Sequence, residues 1–145
     1  LVGSEMCIRD RYMANENKIK HLEFIQNVIT RMNSNSFMIK GWCVTLVAAL
    51  FALGAKDSNV NFAIIAYIVI PTFWVLDGFF IIREKHFRNL YNQVRLKDEE
   101  EIDYSMMPKP LNIGDWIADG IATYTLVPFY GVMLIATFAV LIMFN

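Results

Sequence analysis

Three stretches of this chain stay apolar for about the thickness of a bilayer, and that constrains the fold more than any other feature. A helix rises about 1.5 Å per residue, so roughly 20 apolar residues cross a hydrocarbon core of about 30 Å. The stretch 60–82 is interrupted only by Asn61, Pro71 and Asp77, and 121–144 carries no charge. The stretch 37–55 holds one charge, Lys40, near its start, from where a lysine can snorkel to the headgroups. The predicted fold class is an all-α membrane protein with three transmembrane helices, about 37–55, 60–82 and 121–144. The length of 145 residues, with 56% apolar and 19% charged side chains, fits one compact unit and excludes a multidomain enzyme. Two cysteines exclude a disulfide-stapled module, and a net charge of -1 implies no nucleic-acid partner.

The segments around the spans follow from periodicity and punctuation. Residues 1–12, LVGSEMCIRDRY, resemble the translated read-through of a sequencing adaptor and are set apart as an artefactual extension. The remainder, 13–145, reads as a single helical membrane domain. Its parts are an amphipathic helix at 13–36, a transmembrane hairpin at 37–82, a cytosolic helix and linker at 83–120, and the third span at 121–145. Residues 13–32 lack the apolar stretch of a secretory signal. Ile19, Leu22, Ile25, Ile29 and Met32 recur at helical spacing instead. The polar cluster Asn33 to Ser36 either ends that helix and caps the next or lies inside one continuous helix. Residues 56–59 form a polar turn, which makes the first two spans antiparallel. Phe87, Leu90, Tyr91 and Val94 extend the second helix beyond the membrane until the acidic run Asp98 to Glu101 ends it. Residues 105–110 read as an extended linker, and 111–120 as a short interfacial helix with Trp116 at headgroup depth. Pro128 is a candidate kink in the third span.

Lysine and arginine counts set the orientation. Lys18, Lys20, Arg31 and Lys40 precede the second half of the first span, and Lys56 alone separates the first two spans. Six basic residues from Arg83 to Lys109 precede the third, and none follows it. The positive-inside rule then puts the N-terminus and 83–120 in the cytosol, with the 56–59 turn and Asn145 on the periplasmic side. The cytosolic segment 83–120 is too short for a core of its own and must pack on the N-terminal helix, another subunit or a partner.

An antiparallel hairpin turning near residues 57 and 58 brings Lys40 opposite Asp77 and Arg31 opposite Glu84. A carboxylate inside a membrane costs about 2.5–3.5 kcal/mol near a helix centre on insertion scales, so Asp77 needs a partner or water. Structural ion pairs are the first expectation, and an ion or proton pathway through Asp77 is the alternative. Gly41, Thr45, Ala48, Ala52 and Ala55 form a small-residue stripe that admits a close helix neighbour. Intrachain packing on the second span is the first expectation for it, and a neighbouring subunit the other. Arg88, Tyr91 and Arg95, with Phe87 and Leu90, form a basic aromatic helix face. It either contacts anionic lipid or a protein partner, or packs its apolar side on the N-terminal helix.

Catalytic chemistry has little support. His21 and His86 sit about eight residues apart along the hairpin axis, roughly 12 Å at helical rise, too far to share a metal. Asp115 and Asp119 share a helical face but read as solvated, and Cys43 reads as a small core residue. No phosphate loop, nucleophile triad or paired CxxC occurs. No cofactor, metal or catalytic residue is expected.

Two motifs carry a resemblance. The first is His21-Leu22-Glu23-Phe24-Ile25-Gln26 with Ile29, Arg31-Met32, Asn35-Ser36-Phe37 and Lys40-Gly41-Trp42. The second is Trp74-Val75-Leu76-Asp77-Gly78-Phe79-Phe80 with Glu84, Phe87-Arg88 and Leu90-Tyr91. Over about residues 21–95 the chain resembles RipA-type octameric membrane proteins, a group of small bacterial inner-membrane proteins. That group is in turn similar to membrane accessory proteins found beside some phage-defence systems. Phe79 and Phe80 depart from the group, where tyrosines are more frequent, and the third span matches only in general character. The resemblance implies a homo-oligomeric helical assembly. It places Arg31, Asn35, Lys40, Asp77, Glu84 and Arg88 in the signature without assigning catalysis to any, and it carries over no substrate.

The expected function is therefore a bacterial inner-membrane protein that self-assembles, in contact with membrane lipids, with a structural, pore-like or accessory role. The alternatives are a small ion or solute transporter using Asp77 and a membrane anchor recruiting a cytosolic partner.

Overall fold

The computed structural model describes residues 2–57, 61–108, 110 and 112–144, and every regular element in them is helical. Helix α1 runs Val2–Asp57 and α2 runs Asn61–Leu96. A single 3-10 turn, Glu99–Glu101, follows. Helix α3, Ile113–Asp115, passes directly into a π-helical turn, Trp116–Ile121, and α4 runs Leu126–Phe144. Three helices are long and apolar enough to cross a membrane, the candidate stretches being Asn15–Lys56, Asn61–Leu96 and Leu126–Met143.

The polar cluster Asn33 to Ser36 lies inside α1 without a break. Asn and Ser disfavour a helix interior by only a few tenths of a kcal/mol each, and neither Gly nor Pro is present to stop the helix. Pro71 lies inside α2, where it removes the bond to the carbonyl four residues back. The next residue, Thr72, donates its hydroxyl to the Ile68 carbonyl at 2.8 Å. Residues 58–60, which include half of the turn expected at 56–59, lie outside the described residues, as does Asn145.

The third apolar helix begins five residues later than its hydropathy predicts. Thr123 closes the end of the π turn, its single hydroxyl proton shared between the Asp119 and Gly120 carbonyls, each 2.7 Å from Oγ1. Its own carbonyl then accepts from Leu126 and Val127 N–H, which starts α4. Pro128 is consequently in the first turn of α4, where its missing N–H costs nothing, and it is no mid-span kink.

The chain divides into two units, each with its own core. The first comprises 1–31 and 84–110. Ile25, Ile29, Val94 and Ile102 are buried in it, with Leu22, Phe87, Leu90 and Tyr91 packed against them. Of the periodic positions of the N-terminal segment, Leu22, Ile25 and Ile29 thus find their partner in the last turns of α2, whereas Ile19 is half exposed. Lys18 Nζ also donates to the Lys97 carbonyl at 2.7 Å, close to the end of α2.

The second unit comprises 32–83 and 111–145. Its buried centre is Cys43 and Val47 of α1, Ala66 and Ile70 of α2, and Leu126 and Tyr130 of α4. Trp74 stacks on Tyr130 with ring centroids 5.6 Å apart and donates its indole N–H to the Ile121 carbonyl at 3.0 Å. Gly78 and Gly120 let two backbones meet. A Cβ on Gly120 would lie 3.0 Å from the Gly78 carbonyl oxygen, and one on Gly78 would lie 3.3 Å from the Gly120 carbonyl carbon.

Candidate functional site

The most polar point of the second unit is Asp77, fully buried on α2 among apolar neighbours. Lys40 Nζ of α1 lies 2.6 Å from its Oδ2 and is itself 22% exposed, so the cation keeps one side open. Ser36 Oγ donates to Oδ1 at 2.5 Å, and Lys40 Nζ reaches Ser36 Oγ at 2.7 Å, one helical turn away on the same face. Tyr130 Oη, from the buried centre of α4, donates to Oδ2 at 3.1 Å and lies 3.4 Å from the Phe73 carbonyl. One carboxylate on α2 therefore gathers two donors from α1 and one from α4, which ties the three long helices together. A buried ion pair holds only when the remaining lone pairs are satisfied as well, which Ser36 and Tyr130 accomplish.

Arg31 and Glu84 do not pair. Glu84 is held instead by Arg88, four residues on along α2, in an ion pair. A partner one turn away on the same helix requires no ordering of a second element, so it wins over one across the hairpin. Arg31, left without a carboxylate among the described residues, lines an open hollow with Phe24, Asn27, Val28 and Met106. Asn35 is half-buried.

The basic aromatic face is divided by the fold. Phe87, Leu90 and also Tyr91 pack against the first unit's core, each remaining partly exposed. Arg88 is committed to Glu84 through a largely exposed guanidinium, and Arg95 is exposed.

The small-residue stripe faces outward. Gly41, Thr45, Ala48, Ala52 and Ala55 are all exposed in the single chain, and a Cβ on Gly41 would meet nothing within 4 Å. The seam of α1 with the rest of its unit is built from Cys43 and Val47, flanked by Leu50 and Phe51. The first expectation for the stripe, packing on the second span, is thereby corrected. The intrachain contact runs along the neighbouring face of α1 and leaves the stripe outside it.

His21 is buried and meets Tyr104 edge-on at 5.5 Å, and neither its Nε2 nor the buried Nδ1 of His86 has a hydrogen-bond partner among the described residues. Among the described residues, no group of three or more His, Cys, Asp or Glu side chains is placed to hold a metal. Asp115 is half-buried and Asp119 exposed. The ring of Trp116, expected at headgroup depth, lies against Gly120, and its indole N–H is buried with no hydrogen-bond partner among the described residues.

Sequence reasoning picked out Lys40 and Asp77 but not Ser36 or Tyr130. Ser36 had a signal, its spacing of four from Lys40. Tyr130 had none, because the pairing of α4 with α2 follows no hairpin register. No family model, curated protein or solved structure matches the chain.

Proposed function

We propose that this chain is a multi-pass membrane protein of the bacterial inner membrane whose copies assemble through the outward face of α1, in a structural or pore-like role rather than a catalytic one. The observation that carries the reading is the exposed stripe Gly41, Thr45, Ala48, Ala52 and Ala55. Inside lipid no hydrophobic drive brings helices together, so close backbone approach at small residues supplies the packing energy. A span that spends such a stripe on lipid forgoes that energy. The resemblance to RipA-type octameric membrane proteins supports the same reading and favours a closed homo-oligomer over a dimer. In this reading the Asp77 network fixes the three long helices of one subunit, and the basic excess places 1–31 and 84–110 in the cytosol.

The test is cysteine cross-linking in native membranes. In a background with Cys7→Ser and Cys43→Ser, Ala48→Cys should form a disulfide between copies on mild oxidation. Ile64→Cys, an exposed position on α2, should not. Equal cross-linking at both positions, or none at Ala48→Cys, contradicts assembly through this face.

A second reading, ion or proton movement through Asp77, is favoured by one observation: an ionisable carboxylate fully buried beside Lys40 and Tyr130. It predicts that Asp77→Asn abolishes flux in reconstituted vesicles while leaving assembly intact.

A further inference from the structure

Arg31 ends the first unit's stretch of α1 with no carboxylate partner among the described residues, and its guanidinium borders an open hollow of about 490 Å³. The remaining walls are Asn27, one turn back on the same helix, and the apolar side chains of Phe24, Val28 and Met106. Phe24 is 63% exposed, although the neighbouring Ile25 is fully buried and Ile29 nearly so. The hollow thus joins an unpaired planar cation and an amide to an uncovered apolar wall.

We propose that this hollow seats an anionic phospholipid, with the phosphate on the Arg31 guanidinium and Asn27 amide and the glycerol and upper acyl carbons against Phe24, Val28 and Met106. This rests on the reading of the chain as membrane-embedded. The charge is complementary, since a guanidinium fork binds a phosphate through two parallel N–H bonds. The position also fits. Arg31 precedes the apolar run at Phe37 by six residues, about 9 Å at helical rise, just beyond a headgroup layer of roughly 5–8 Å and within reach of it for a long arginine side chain. The cytosolic leaflet, on which the basic excess places this end of α1, is the anionic one. A free phosphate or an acidic peptide would satisfy Arg31 but leave Phe24 and Met106 in water.

The full-length protein, purified in a mild detergent, is titrated with phosphatidylglycerol or phosphatidylcholine and read by native mass spectrometry. All variants are first scored for retention in alkaline-washed membranes. The wild type should favour phosphatidylglycerol roughly five- to tenfold, as one well-placed arginine provides. Arg31→Gln should abolish that preference and Arg31→Lys should keep part of it. Phe24→Ser should weaken binding of phosphatidylglycerol, and Arg95→Gln, outside the hollow, should leave the preference intact. An unchanged preference in Arg31→Gln, or an equal loss in Arg95→Gln, overturns the proposal. So does full displacement by millimolar inorganic phosphate, which assigns a simple anion site, or by a poly-glutamate peptide, which assigns a protein partner. Unaltered binding in Phe24→Ser also overturns the lipid assignment. Release of the wild type by the alkaline wash refutes the membrane reading itself, and this proposal with it.

Discussion

Lys40 and Asp77 meet at 2.6 Å across α1 and α2, with the carboxylate wholly buried and the ammonium partly open. Ser36 and Tyr130 complete the carboxylate's hydrogen bonds. A single acidic side chain thus joins all three helices, alongside their apolar core.

Removing one member of the pair leaves the other charge stranded, whereas removing both leaves none. Asp77→Ala should destabilise the protein by on the order of 3 kcal/mol, and Lys40→Ala by less, because its ammonium can turn to the exposed side. The double variant Lys40→Met with Asp77→Leu should recover most of the loss. Unfolding in mixed micelles followed by circular dichroism measures each, and strictly additive losses would contradict the coupling.

The Gly78–Gly120 crossing makes the opposite demand, for the absence of a side chain. Gly120→Ala puts a Cβ 3.0 Å from the Gly78 carbonyl oxygen, and the overpacking should cost about 1–3 kcal/mol. Gly131→Ala on α4 meets nothing within 4 Å and should be neutral or stabilising by about 0.5–1 kcal/mol. The same unfolding assay ranks the two.

Ile25 is fully buried in the first unit. Ile25→Ala should destabilise that unit by about 2–5 kcal/mol through the lost contacts and the cavity. Hydrogen exchange should then accelerate in 84–96 more than in α4.

Orientation is open to labelling. Ser105→Cys should react with a membrane-impermeant maleimide only from the cytosolic side, and Ser58→Cys only from the periplasmic side. Labelling of Ser105→Cys in intact cells would invert the topology.

Hydropathy alone located the three apolar helices, because length and lack of charge are local properties. The contact of Lys40 with Asp77 is likewise arithmetic on an antiparallel hairpin. The same arithmetic failed for Arg31 and Glu84, where Arg88 offers Glu84 a partner on its own helix. Leu126 as the start of α4 was hidden, since the hydroxyl of Thr123 ends the π turn inside a stretch that hydropathy scores as continuous. The backbone crossing of Gly78 and Gly120 joins segments far apart in the chain and leaves no periodic trace. The outward direction of the Gly41 stripe depends on which face of α1 meets α2 and α4, and a one-dimensional pattern does not specify that face.

Assembly through that face is the central claim, and the mass of the full-length protein in nanodiscs tests it most directly. Native mass spectrometry or light scattering should report one discrete multimer. Gly41→Leu, at an exposed position where an added Cβ meets nothing within 4 Å, should shift the protein to smaller species without loss of helix content. A wild-type monomer at high protein concentration, or a multimer indifferent to Gly41→Leu and Ala48→Leu, would contradict it.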